Sequence, residues 1–154
     1  MKKLAVVVLT FMPLAFSSWV DAVEPVTQAI EFLNSKPASK NLPFSEIVRV
    51  ENTLYLSGQI GFDPKTGKLV DGGLKAEAVQ TLANIENSLN KYGYSMNNVV
   101  KCTVMLTDIA DFKVFNQVYT RYFLPPYPAR SAFAVKALAL NASVEVECIA
   151  AVNK

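Results

Sequence analysis

Apolar residues recur along this chain at two different periods. Leu74, Ala78, Leu82, Ile85 and Leu89 follow one another at steps of four, four, three and four. Those steps draw one stripe down a helix, predicted over residues 74–92. Gly93 follows as a natural stop, because glycine accepts the left-handed backbone that closes a helix. Phe112, Phe115, Tyr119 and Tyr122 form a second stripe, predicting a helix over 109–123 that Pro125 and Pro126 end. Elsewhere the period shortens to two. Val144, Val146, Cys148 and Ala150 alternate with Glu145, Glu147 and Ile149, the signature of a strand over 143–152 with two unlike faces. β-Branched and apolar residues predict further strands at 47–50, 54–56, 99–106 and 131–135. Glu51, Asn52 and Thr53 read as the turn of a hairpin between the first two.

The predicted order is β-β-α-β-α-β-β. It describes an α+β domain in which two helices cover one face of a single mixed sheet. Before it, Val26, Ile30 and Leu33 have helical spacing, so a short helix is expected ahead of Pro37. Residues 58–73 are rich in turn formers. The sheet face away from the helices mixes Met105 and Ile149 with Glu145. A half-apolar uncovered face predicts an oligomer.

The start of the chain has another pattern. Met1-Lys2-Lys3 is basic, residues 4–16 are apolar, and Val20-Asp21-Ala22 offers compact residues where a signal peptidase reads. This is the layout of a secretory signal peptide over 1–22, cut after Ala22. Residues 23–41 then form an N-terminal extension and 42–154 the domain. The expected location is periplasmic or secreted, with no membrane association after cleavage. Loss of Lys2, Lys3 and Asp21 leaves 13 basic and 12 acidic residues, a net charge of +1. A near-neutral domain lacks the basic footprint of a nucleic-acid binder, so no nucleic-acid partner is expected.

The chain has no histidine. That removes His-based metal sites and every catalytic pair that needs an imidazole. Its two cysteines, Cys102 and Cys148, fall in separate predicted strands. Export permits a disulfide between them, and two buried thiols are the other reading.

Four polar residues stand out by position. Ser57 precedes Gly58 in a turn where backbone can approach a ligand, or is an ordinary turn serine. Asn116 lies beside the apolar face of the second helix, where a buried amide needs partners, either in a loop it ties or in a ligand. Arg130 opens a strand after a proline-rich loop. Its guanidinium could grip a carboxylate with two parallel hydrogen bonds, or make an ordinary cross-strand salt bridge. Glu145 interrupts an apolar strand, either as an ion-pair partner or as an acid–base group.

These residues sit in stretches that resemble the RidA (reactive intermediate deaminase, or YjgF) family. Leu56-Ser57-Gly58-Gln59-Ile60-Gly61 is one, followed by Pro64, Thr66 and Gly67. The segment 100–119 is the second, with Val104, Asp108, Asp111, Phe112, Asn116 and Tyr119 in register. The third is Pro128-Ala129-Arg130-Ser131, with Val144-Glu145-Val146-Glu147 after it. The resemblance runs over residues 44–152. It implies a chorismate-mutase-like α+β fold, a homotrimer with clefts between subunits, and hydrolysis of 2-imino acids to 2-keto acids and ammonia. It implies no metal or organic cofactor. By the same resemblance Arg130 grips the substrate carboxylate, Glu145 stands near the water and imine nitrogen, and Ser57 and Asn116 line the pocket. Two positions depart from the family pattern: Phe44 replaces a common tyrosine and Ala132 a common cysteine. Both bear on substrate preference. The competing reading is a non-catalytic binder of small carboxylates, or a holdase-like trimer.

Overall fold

The computed structural model describes residues 29–34 and 42–152. The signal peptide expected over 1–22 and its cut after Ala22 lie outside the described residues, as does most of the extension over 23–41. The hairpin forms where expected. Strand β2 (Ile47–Val50) turns through Glu51 and Asn52 into β3 (Thr53–Leu56), with Val50 opposite Thr53. Glu51 carries the left-handed backbone of that tight turn, at φ 52°.

One expectation changes. Ahead of the hairpin the chain forms a strand, β1 (Ile30–Leu33), antiparallel to β2, and not a helix. Ile30 and Leu33 fit a helical spacing, but the free edge of β2 supplies a full set of backbone partners. A tertiary contact of that kind overrides a weak local preference.

Between the hairpin and the first helix come β4 (Gln59–Ile60), β5 (Phe62–Asp63) and β6 (Lys68–Leu69), the last two paired as a small separate ribbon. Helix α1 (Gly73–Lys91) follows the predicted boundaries closely, and Leu74, Ala78, Leu82, Ile85 and Leu89 are all buried. Gly93 has φ 79°, so the predicted stop operates through its left-handed backbone. Strand β7 (Val99–Leu106) leads to a short 3-10 turn at Ile109–Asp111 and then α2 (Phe112–Tyr122). Asp108 caps that turn, accepting a hydrogen bond from the Ala110 amide at 2.9 Å. Strand β8 (Ala129–Ala134) begins two residues earlier than predicted, so Arg130 lies within it. Strand β9 (Val144–Ala151) closes the fold.

The main sheet runs β1-β2-β3-β9-β7-β8, with β4 also paired to β9. All pairs are antiparallel except β7 with β8, which α2 connects. Both helices cover the face that carries Val104, Leu106, Val144, Val146 and Ala150, and Phe115 and Val118 of α2 join that core. The opposite face leaves Tyr55 and Phe133 about half exposed.

Cys102 and Cys148 stand directly opposite in the β7–β9 ladder, with Cα atoms 4.1 Å apart, and form a buried disulfide. The thiol alternative is thereby settled.

Candidate active site

The site residues fall into two groups, which the strand register keeps on opposite faces of the sheet. Side chains of paired residues point the same way, and alternate residues point oppositely. Arg130 and Ala132 pair with Cys102 and Val104, which face the helices. Glu145 and Glu147 pair with Met105 and Thr103, which face away from them.

On the helix side, Asn116, Tyr119, Thr120, Tyr127, Pro128 and Arg130 line an open cleft of ≈ 380 Å³. The end of α2 makes one wall and the proline-rich approach to β8 the other. Arg130 has its guanidinium carbon 4.6 Å from the ring centroid of Tyr119 and 5.3 Å from that of Phe112. No carboxylate lies within ion-pair distance of it among the described residues, so the salt-bridge reading fails there. Two of these lining residues also bury a polar atom without a hydrogen-bond partner, Oδ1 of Asn116 and the hydroxyl of Tyr119. Burial raises the Tyr119 pKa, with the Arg130 charge pulling the other way. A guanidinium with no carboxylate partner among the described residues, in an open cleft, has N–H donors free to meet an anion.

The second group gathers at a bulge. Tyr55 pairs with Ile149, and Gln59 with Val146, so four steps on one strand oppose three on the other. The extra residue falls at Ser57-Gly58, between β3 and β4. The Ser57 hydroxyl donates to the Ser45 carbonyl at 2.6 Å and its amide to the Glu46 carbonyl at 3.1 Å. This ties the bulge to the segment that holds Phe44, itself about half exposed. Glu145 lies against Gly58 so closely that a Cβ there would overlap its Oε1 and sit 3.0 Å from its Cδ. Burial raises the Glu145 pKa, and the nearby Glu147 charge adds to the rise. The carboxyl therefore holds its proton to higher pH than an exposed glutamate does.

The start of β9 is fixed from α1. Glu77, buried on that helix, accepts the Ser143 amide at 2.7 Å and the Ser143 hydroxyl at 2.8 Å. That anchor stands two residues before Glu145.

So the structure joins Arg130 with Asn116, and Glu145 with Ser57 and the Phe44 segment. Ala132 lies part-buried against the core on the Arg130 side. Within one chain it does not bring the arginine to the glutamate. Sequence reasoning missed Thr120, Tyr127 and Pro128 as cleft residues. It also counted Phe112 and Tyr119 as helix face alone. The spacing of Tyr119 three residues beyond Asn116 was the available signal.

Fold and cleft together define a small α+β domain with an arginine in an open cleft. The chain belongs to the Endoribonuclease L-PSP family, whose model matches residues 34–152, the RidA/YjgF family named from the sequence. It is 49% identical over 108 residues to the 2-iminobutanoate/2-iminopropanoate deaminase of Bos taurus, covering 70% of this chain and 79% of that protein. It is 39% identical over 135 residues to the chloroplastic Reactive Intermediate Deaminase A of Arabidopsis thaliana, covering 88% of this chain and 72% of that one. Among solved structures, RidA from the Antarctic bacterium Psychrobacter sp. PAMC 21119 superposes with a TM-score of 0.70 at 41% identity, covering 79% of this chain and 94% of that chain.

Proposed function

We propose that this chain hydrolyses 2-imino acids to 2-keto acids and ammonia, at a site completed by Arg130 of one copy and Glu145 of a neighbouring copy in a homotrimer. The observation that carries this reading is Arg130. It is a cation with no ion-pair partner among the described residues, in an open cleft. The names of the deaminase relatives supply the substrate class. The opposite-face arrangement of Arg130 and Glu145 supports a second copy, because one chain alone leaves them apart. The exposed Tyr55 and Phe133 on the uncovered face support assembly as well.

In this mechanism Arg130 binds the carboxylate and so orients the neighbouring C=N carbon. A water near Glu145 attacks that carbon, forming a C–O bond as the C=N π pair moves to nitrogen. The nitrogen is protonated, the C–N bond breaks, and ammonia leaves as the hydroxyl proton is lost and the C=O bond forms. Glu145 carries the proton between water and nitrogen, a role suited to a carboxyl whose pKa is raised. Acid–base help of this type contributes about 10²–10⁴ in rate. Phe44 and Ala132 bear on which side chain is accepted, not on carboxylate binding. The near-neutral charge supports a small-molecule substrate over a polynucleotide. Export to the periplasm or beyond is part of the reading, supported by the basic-apolar start and by a buried disulfide.

The test generates 2-iminobutanoate in situ and follows 2-oxobutanoate release with wild type, Arg130→Ala and buffer. Acceleration by wild type and its loss in the variant are expected. No acceleration over buffer, with 2-oxobutanoate still binding in the cleft, would establish the carboxylate-binder alternative instead. Recovery of full-length chain in the cytoplasm of expressing cells would refute export.

A further inference from the structure

Arg130 is held by rings, with no counter-charge at ion-pair distance among the described residues. Its guanidinium carbon lies 4.6 Å from the Tyr119 centroid and 5.3 Å from that of Phe112. Both distances fall inside the roughly 6 Å over which a ring face attracts a cation. Phe112 and Tyr119 are two turns apart on α2, so they present one face toward β8. Tyr119 is itself packed between two tilted rings, with Phe123 at 4.4 Å and Phe115 at 5.8 Å between centroids. It is also 3% exposed.

The physical consequence is a division of the guanidinium. Its charge is drawn to the ring faces. Its in-plane N–H groups stay available, since a ring face does not use them up as a carboxylate would. A carboxylate partner would orient the arginine equally well but would neutralise it and occupy the same N–H groups that a substrate needs.

We propose that Phe112 and Tyr119 are positioning residues, an aromatic clamp that pre-orients the Arg130 guanidinium for the substrate carboxylate. This deepens the reading of Arg130 as the carboxylate anchor and rests on it. The clamp removes the torsional freedom that the side chain would otherwise lose on binding, so it acts on ligand affinity. The Tyr119 hydroxyl takes no part in it. Burial holds that phenol neutral, and the contact is made by the ring.

The experiment compares full-length Phe112→Leu, Tyr119→Leu, Tyr119→Phe and Arg130→Ala with wild type. It measures kcat and KM on imine generated in situ, the Kd for 2-oxobutanoate, and Tm. Phe112→Leu is expected to raise KM and Kd about threefold to tenfold, with kcat within about twofold. Tyr119→Leu should weaken binding at least as much, and Tyr119→Phe should restore it to near the wild-type value. Phe112 is part-buried, so its variant keeps the test sound if Tyr119→Leu fails to fold. Unchanged Kd in Phe112→Leu, alongside lost binding in Arg130→Ala, overturns the clamp and leaves the anchor intact. Tyr119→Phe binding as poorly as Tyr119→Leu also overturns it, by moving the role to the hydroxyl. Wild-type binding by Arg130→Ala fails the anchor reading itself.

Discussion

Gly58→Ala isolates the catalytic half of the site from the binding half. The alanine Cβ would overlap Oε1 of Glu145 and crowd its Cδ at 3.0 Å and Cγ at 3.2 Å. The carboxylate has to retreat, and a shift on the order of 1 Å in a reacting group can cost about 10²-fold in rate. The fold has little reason to suffer. Gly58 does not use left-handed backbone, and the atoms that must move belong to the end of a flexible side chain. Replacing such a glycine even stabilises by about 0.4–1 kcal/mol through the unfolded chain. The expected result is therefore a Tm equal to or above wild type, a kcat lowered about 10²-fold, and a Kd for 2-oxobutanoate close to unchanged. Thermal melts, ligand titration and keto-acid release on in situ imine measure the three quantities. Wild-type kcat in a folded Gly58→Ala protein would refute the role given to Glu145.

Three further outcomes follow from contacts elsewhere. Glu145→Gln should gain stability relative to wild type as pH rises. A folded-state pKa above the ordinary value makes the carboxyl's contribution complete in acid and lost as pH rises through the raised pKa, and glutamine does not titrate. Melts at pH 4 and pH 7.5 check this, and the gap between the two proteins should be wider at the higher pH. Glu77→Ala strips the part-buried Ser143 amide and hydroxyl of their partner, which costs about 0.5–1.5 kcal/mol for each hydrogen bond lost, read from urea unfolding. Replacing both cysteines by alanine should lower stability by about 2–4 kcal/mol, because the bond closes a loop of 46 residues in the unfolded chain.

Much of the fold was legible because its two helices each bury one face. The stripe of α1 is continuous, so spacing alone found it to within a residue or two. Strand β1 was not legible, because what makes Ile30–Leu33 a strand is the free edge of β2, not its own residues. Arg130, Asn116, Ser57 and Glu145 could each be singled out by position, and the family resemblance assigned their roles. Their division into two groups could not be read, since it depends on register across three strands. The clamp was hidden for a different reason. Phe112 and Tyr119 satisfy the helix pattern as core residues, and the same rings seat the arginine. A pattern of apolar positions cannot tell a ring that packs from a ring that also binds a cation. Gly58 looked like an ordinary turn glycine because the atom that forbids a Cβ there comes from the last strand.

The disulfide has a consequence beyond holding two strands together. Cys102 stands opposite Cys148 on one side and Arg130 on the other. A slip of β9 by one residue would turn its cysteine to the far side of the sheet, out of reach of any bond. Oxidation can therefore complete only in a molecule whose central strands are aligned as they are here. The bond acts as an inspection stamp: chains that carry it have already put the glutamate of β9 on its proper side of the sheet, before any substrate arrives.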